Sequence, residues 1–219
     1  MDQKELQQLL FPHEKARAIQ QDMISDVKKV LEERKHLIVH APTGLGKTAA
    51  ALSPALKYAL DNDKVVLFLT SRHTQHVIAI DTLKKIKKMY GKEIIVADII
   101  GKKWMCLQPG VERLYSGEFA DYCKALRQDK MCDFYTKTRK QMNGALTLEA
   151  MHHIDESKKD LLHTEDLKES CKGKKLCPYE ISVEVARKAN VIVTDYYYLF
   201  HPTISENFLE KIGKKLEDL

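Results

Sequence analysis

Long hydrophobic runs are missing from this sequence, and glycine and proline are scarce. The longest apolar stretches, such as residues 65–69, have five residues, whereas a membrane-spanning helix needs about 20. Nine glycines and six prolines in 219 residues exclude collagen-like and low-complexity chains. The N-terminus carries acidic residues and lacks the basic and apolar regions of a secretory signal peptide. We therefore expect a globular protein of the cytoplasm, or of the nucleus in a eukaryote, with no membrane partner.

The five cysteines all lie between positions 106 and 177. Thiols of cytoplasmic proteins are kept reduced, and an odd number of cysteines does not suit complete pairing into disulfides. The cysteines are therefore interpreted as metal ligands or buried thiols.

Charge is distributed unevenly along the chain. The net charge is only +5, but seven lysines fall between positions 84 and 103, against two acidic residues. Such a run is typical of a solvated helix face, and equally of a surface that follows nucleic-acid phosphates. An aromatic patch follows between positions 104 and 135. It consists of Trp104, Tyr115, Phe119, Tyr122, Phe134 and Tyr135.

Hydrophobic periodicity predicts an α/β fold. Residues 13–34 have the spacing of an amphipathic helix, and four short apolar runs (36–40, 65–70, 93–100 and 191–194) are typical of buried parallel strands. Their alternation with helical segments predicts an open, mostly parallel sheet with helices on both faces. A cysteine-containing segment of different character interrupts this pattern from about residue 101.

The most specific motif is a phosphate-binding loop between a predicted strand and a predicted helix. Glycines let backbone N–H groups approach a polyphosphate, a lysine binds the terminal phosphates, and a hydroxyl binds Mg²⁺. The strict pattern has glycine at the first position, where this chain has alanine. The predicted nucleotide-binding residues are Ala41, Pro42, Thr43, Gly44, Leu45, Gly46, Lys47 and Thr48.

Together, these segments resemble the XPD-like superfamily 2 DNA helicases, a family that includes archaeal XPD and the bacterial DinG relatives. The resemblance implies a P-loop RecA-like sheet. It places Phe11, Arg17 and Gln20 in a segment near the adenine, although a solvated role for Gln20 is also open. It implies that single-stranded DNA contacts Thr70, Ser71 and Arg72 after one strand, and Tyr196 and Tyr198 after another. The tyrosine row is equally compatible with packing at a sheet edge.

The same resemblance gives the cysteines a role. In this family four cysteines hold a 4Fe-4S cluster, and Cys106, Cys123, Cys132 and Cys177 match them in order, the last within Cys-Pro-Tyr. Spacing alone does not distinguish iron–sulfur from zinc. Cys171 is left over, either as a free thiol or as an alternative fourth ligand. The aromatic residues around these cysteines suit either a DNA-separating wedge or a shield for the cluster.

The resemblance implies an ATP-dependent 5′–3′ DNA helicase of DNA-repair type, with ATP, Mg²⁺ and a 4Fe-4S cluster as cofactors. Fork or bubble DNA and other repair proteins are the expected partners. We assign residues 1–100 to the first part of motor domain 1, residues 101–180 to the cluster insert, and residues 181–219 to the return of the motor domain.

The family's Asp-Glu-Ala-His sequence, which supplies the catalytic acid, does not occur. We therefore expect an N-terminal fragment with no catalytic residue of its own, which binds ATP and single-stranded DNA but is inactive alone. The alternatives are a zinc-stabilised nucleic-acid-binding module, which leaves the phosphate loop unexplained, and a P-loop phosphotransferase, which leaves the cysteines unexplained.

Overall fold

A computed structural model describes residues 1–219, with twelve α-helices and three strands. The elements before the insert are α1 (Gln3–Gln8), α2 (Ala18–Glu32), α3 (Lys47–Asp61), β1 (Val66–Thr70), α4 (His73–Tyr90) and β2 (Val96–Ile99). Six helices follow: α5 (Lys102–Met105), α6 (Ser116–Gln128), α7 (Asp133–Thr138), α8 (Leu148–Asp160), α9 (Thr164–Lys174) and α10 (Pro178–Arg187). The last elements are β3 (Val191–Asp195), α11 (Tyr197–Phe200) and α12 (Pro202–Ile212). Short 3-10 turns lie at Val111–Arg113 and Leu216–Asp218.

The three strands form one parallel sheet in the order β1-β3-β2. Val191 of β3 is in register with Val66 on one side and Val96 on the other. β-branched residues dominate β3, and all of its residues from Val191 to Thr194 are buried, as expected of a strand covered on both faces. Parallel pairing brings the carboxyl ends of all three strands to the same edge.

Helices cover both faces of the sheet, which confirms the predicted α/β fold class. Val191 and Val193 face α3 and α4 and share a core with Leu52 and Leu83. Ile192 points the opposite way, because successive strand residues alternate between faces, and packs in a second core. That second core contains residues of α5, α8, α9, α10 and α12, so the insert helices pack directly on the sheet.

The predicted strand at residues 36–40 is wrong. These residues form no strand and make no backbone-to-backbone hydrogen bond, and Ile38 is 98% exposed. An apolar β-branched run becomes a strand only where a neighbouring strand accepts its hydrogen bonds, and no strand of the sheet lies beside this one. The first predicted helix also starts later than expected, at Ala18.

Of the remaining predicted strands, β1 and β2 lie within the expected runs, and β3 covers its run and extends one residue further, to Asp195. None of the helices has the length and apolar character needed to cross a membrane.

Candidate nucleotide and nucleic-acid site

The phosphate loop is shaped by two glycines with positive backbone angles. Gly44 has φ +78° and Gly46 has φ +82°, and Gly46 is the residue that precedes the first turn of α3. This left-handed conformation is readily adopted by glycine and disfavoured for residues with a Cβ. A Cβ at Gly46 would also collide with the side-chain amide of Gln20. The loop therefore opens directly onto the positive end of a helix, where anions bind favourably.

Lys47 lies across the mouth of this loop. Its Nζ atom donates hydrogen bonds to the carbonyl oxygens of Ala41, at 3.1 Å, and Pro42, at 2.7 Å. These bonds hold a positive charge next to the exposed backbone of Thr43 and Gly44. Thr48 follows in the first turn of α3 and is partly exposed, whereas Leu45 is buried and anchors the loop.

Two of the three residues predicted ahead of the loop contact it, and the third lies in a nearby core. Arg17 Nη1 donates to the carbonyl oxygen of Gly44 at 2.9 Å. The backbone N–H of Arg17 donates to Gln20 Oε1 at 3.0 Å, which fixes the Gln20 amide beside Gly46. Phe11, by contrast, is fully buried in a small core with Ile24. The ring of Phe11 therefore packs in the core between α2 and α3, and its role near the adenine stays a prediction.

The residues predicted to contact DNA divide into exposed and buried groups. Ser71 and Arg72 are exposed, whereas Thr70 is buried and its hydroxyl oxygen accepts a hydrogen bond from the Arg72 backbone at 3.2 Å. Tyr196 is about half exposed. Tyr198 is buried, and its hydroxyl donates to the Ile100 carbonyl oxygen at 2.9 Å. Burial raises the pKa of Tyr198.

Tyr198 therefore packs at the end of the sheet, which is the alternative that the sequence left open, and its contact with DNA stays a prediction. Thr70 shapes the turn that carries Ser71 and Arg72. Tyr197, which the sequence pattern did not single out, is 69% exposed instead.

A groove of about 1250 Å³ runs along the carboxyl edge of the sheet. The ends of β1 and β3 form its floor, with Thr70, Ser71 and Tyr196, and α5, α6 and α12 form its walls. Its basic lining residues are Lys102, Lys103, Lys124, Arg127 and Lys211, and Asp195 is the only acidic one. None of these five cations takes part in an ion pair within the chain, so their charge is available to an anion.

Aromatic rings stand among these cations. Lys103 Nζ lies 4.7 Å from the ring centre of Trp104, which is 53% exposed. Lys102 and Lys211 approach the Tyr179 ring at 5.2 and 5.5 Å. Burial lowers the pKa of Lys211, and the neighbouring charge of Lys102 lowers it further. Exposed rings beside crowded positive charges provide the surface that single-stranded nucleic acids use for stacking and phosphate contacts.

Four of the five cysteines line one small cavity between α5, α6, α7 and α10. They are Cys106, Cys123, Cys132 and Cys177. The backbone N–H of Cys177 donates to Thr138 Oγ1 at 2.7 Å, which ties the start of α10 to the end of α7. Burial raises the pKa of both Cys106 and Cys177. Cys171 lies elsewhere, fully buried in the core of the second sheet face, where burial raises its pKa to about 12.

The type and number of these donors fit a 4Fe-4S cluster. Such a cluster takes one thiolate on each of four irons, so its ligands spread around a polynuclear core and not around one ion. In this structure no group of three or more His, Cys, Asp or Glu side chains is placed so that it could hold a metal ion, and the cluster stays a prediction. Phe134 and Tyr135 also line the cavity, which places part of the aromatic patch around the thiols.

The phosphate loop, the parallel sheet and the helices on both of its faces define an α/β protein of the P-loop class. A family model adds the particular assignment: the DEAD_2 model matches residues 68–216, which is more than half of the chain. The chain belongs to the DEAD_2 family.

Similar curated proteins carry helicase names. The XPD/RAD3 helicase subunit of the general transcription and DNA repair factor IIH of Saccharomyces cerevisiae is 24% identical over 224 residues, covering 94% of this chain and 28% of that protein. Its counterpart in Arabidopsis thaliana is 24% identical over 228 residues, covering 94% of this chain and 29% of that protein. The ATP-dependent DNA helicase DinG of Escherichia coli is 44% identical over 57 residues, 25% of this chain and 8% of that one. The chain thus spans less than a third of the length of these relatives.

A solved structure described as truncated XPD has a similar fold. It superimposes with a TM-score of 0.52 and 22% sequence identity, over 84% of this chain and 47% of the other. This similarity is consistent with a RecA-like arrangement of the sheet and its helices.

Proposed function

We propose that this chain is the nucleotide-binding and single-stranded-DNA-binding part of an ATP-dependent 5′–3′ DNA helicase of DNA-repair type. The observation that carries the proposal is the phosphate loop, in which Gly44 and Gly46 adopt left-handed angles directly before α3. The similar curated proteins are named as helicases, and the polarity follows the resemblance to the XPD-like family. Fork or bubble DNA is the proposed substrate, and other repair proteins are the proposed partners.

ATP would bind with its phosphates on the loop of residues 41–48. The backbone N–H groups of the loop and the N-terminus of α3 face the phosphates, and Lys47 exchanges its two carbonyl partners for phosphate oxygens. The Thr48 hydroxyl would hold Mg²⁺, which would neutralise part of the charge of the terminal phosphates. Arg17 and Gln20 would meet the nucleotide from the side of α2, where they already contact Gly44 and Gly46.

Single-stranded DNA would lie in the groove at the carboxyl edge of the sheet. Its phosphates would pair with the five unpaired cations of the lining, and its bases would stack on Trp104, Tyr196 and Tyr197. Binding that depends on phosphate contacts weakens steeply as salt rises, because each contact releases counterions. Ser71 and Arg72 add donors at the end of β1.

The proposed 4Fe-4S cluster would be held by Cys106, Cys123, Cys132 and Cys177. It would cross-link helices α5, α6, α7 and α10, which are separated by up to 71 residues of chain between the first and last cysteine (177 − 106). Metal–thiolate bonds formed only in the folded chain contribute directly to folding stability. We assign the cluster to the insert of residues 101–180, between the two parts of the motor domain at residues 1–100 and 181–219.

These 219 residues would bind ATP without hydrolysing it at a useful rate. Phosphoryl transfer needs an acid that positions the metal and the attacking water, and the sequence contains no Asp-Glu-x-His. DNA-stimulated phosphate release by the purified chain would overturn this part of the proposal.

The variant Lys47→Ala tests the nucleotide site. It removes the lysine that lies across the mouth of the loop, so we expect ATP affinity to fall by about tenfold or more, because bonds to charged groups are the strong ones. Lys29→Ala is the matched control, since Lys29 is exposed on α2 and forms no ion pair. Calorimetric titration with Mg-ATP measures both, and circular dichroism checks the fold. Unchanged ATP binding in the Lys47 variant would refute the assignment.

A further inference from the structure

Three polar side chains from separate elements form a line near the carboxyl edge of the sheet. Asp98 lies in β2, His76 lies in the second turn of α4, and Asp195 ends β3. His76 Nδ1 is 2.5 Å from Asp98 Oδ1, and His76 Nε2 is 3.8 Å from Asp195 Oδ1. The imidazole therefore lies between two carboxylates, close to the floor of the groove.

The inner carboxylate fixes the orientation of the imidazole ring. Asp98 is fully buried, and its Oδ2 atom accepts a hydrogen bond from the Thr164 backbone at 2.9 Å. His163 Nε2 lies 3.5 Å from the same oxygen. A carboxylate surrounded by donors acts as an acceptor, so the proton of the short contact to His76 lies on Nδ1. Asp98 thereby directs the opposite nitrogen, Nε2, toward Asp195.

The outward-facing nitrogen of His76 has no hydrogen-bond partner. The Nε2 atom is buried and unpaired, and an unpaired buried polar group is costly. Asp195 Oδ1 lies only just beyond hydrogen-bond distance, so a small rotation of its side chain satisfies both groups. Besides His163, a second titratable ring lies nearby: the centre of the His73 ring is 5.7 Å from that of His76.

The orientation of Asp195 matters because of where it lies. It is the only acidic residue in a groove lined by five cations, and its side chain is 23% exposed. A carboxylate turned into this groove repels DNA phosphates, whereas the same carboxylate turned toward the sheet leaves the cations unopposed.

We propose that His76 is a positioning residue for single-stranded DNA binding: its Nε2 donates to Asp195 and keeps that carboxylate turned away from the phosphates. A ring that donates from both nitrogens carries a positive charge, which also offsets the charge of Asp195. The inference rests on the proposed function, because it requires that the groove bind DNA.

The variant His76→Asn tests this role. An asparagine amide occupies the place of Nδ1 and keeps the bond to Asp98, but has no atom that reaches Asp195. We expect affinity for labelled oligothymidylate to fall by about tenfold at low salt, because Asp195 then faces the phosphates. The effect should shrink as salt rises and screens the repulsion. The glutamine amide of His76→Gln reaches the place of Nε2, so this variant should lose less affinity for oligothymidylate than His76→Asn does.

A second substitution separates positioning from a merely structural role. Asp195→Asn removes the repelling charge, so the double variant His76→Asn with Asp195→Asn should return to within about twofold of the unmodified chain. A general loss of stability would not be rescued in this way. The inference is overturned if His76→Asn binds normally while folded, or if the double variant binds as weakly as His76→Asn alone.

A further variant covers the case in which His76→Asn does not fold. Asp195→Glu leaves His76 in place and moves the carboxylate toward the groove, so it should weaken binding, whereas Asp195→Asn alone should not. Equal binding by these two variants contradicts the inference. If the unmodified chain itself does not bind oligothymidylate, the proposed function fails first, and that result is distinct from all of the others.

Discussion

At the scale of single residues, the phosphate loop depends on a glycine whose backbone angle other residues rarely adopt. Gly46 combines φ +82° with a position directly against the Gln20 amide. We predict that Gly46→Ala lowers ATP affinity and costs about 1 kcal/mol or more of stability, because a Cβ is strained there and displaces Gln20. ATP titration and thermal unfolding measure the two effects.

Gly173 is the matched control for this prediction. It lies within α9, and a Cβ there would meet no atom within 4 Å. Gly173→Ala should leave ATP binding unchanged and raise stability, by about 0.5–1 kcal/mol for a glycine inside a helix. Normal ATP binding by Gly46→Ala would show that the loop does not need the left-handed angle.

Residue patterns predicted the loop better than they predicted the groove. The residues of the loop are adjacent in sequence, so spacing alone brings Gly44, Gly46 and Lys47 together at the start of a helix. Lys124, Arg127 and Lys211 line the groove from two helices that lie far apart in the sequence, and no local pattern relates them. The tyrosine row was ambiguous because the rotation of α11 exposes Tyr197 and buries Tyr198.

At the scale of elements, the insert is held together at the cysteine cavity. Cys177 caps α10 and bonds through its N–H to Thr138 at the end of α7. Beside it, Arg139 bonds to Glu180 at 2.5 Å and to Glu184 at 2.7 Å, both on α10. Most side chains in this ion network are shielded from water, so the helices around the cavity are joined by polar contacts as well as by the proposed cluster.

A comparison of two cysteine variants tests the cluster at this scale. Chain purified without oxygen should contain about four irons and four sulfides. Cys177→Ala removes a cavity ligand and should lose most of that iron, together with its visible absorbance. Cys171→Ala is the control, because Cys171 lies in the core outside the cavity; this variant should lose some stability but keep its iron. Stoichiometric zinc in place of iron, or equal iron loss in both variants, would contradict the assignment.

At the scale of the whole molecule, the carboxyl edge of the sheet gathers most of the proposed DNA contacts. Parallel pairing explains why the ends of β1 and β3 meet there although Thr70 and Asp195 are 125 positions apart in the sequence. Periodicity in the sequence predicted the three strands that form and the class of fold, together with one strand, at residues 36–40, that does not form. It could not predict which apolar runs would find a neighbouring strand, because pairing depends on the entire topology.

The unpaired apolar segment at residues 37–39 leads to a prediction about the behaviour of the whole chain. Its Ile38 side chain is 98% exposed and its backbone groups are free to pair, a combination that favours edge-to-edge association. We expect Ile38→Lys to reduce concentration-dependent association, measured by light scattering, with little change in the unfolding temperature. The control is Ile78→Lys, since Ile78 is 53% exposed on α4 but belongs to a helix whose backbone is already hydrogen-bonded. Equal suppression by both variants would show that apolar surface in general, and not an unpaired strand-like segment, drives the association.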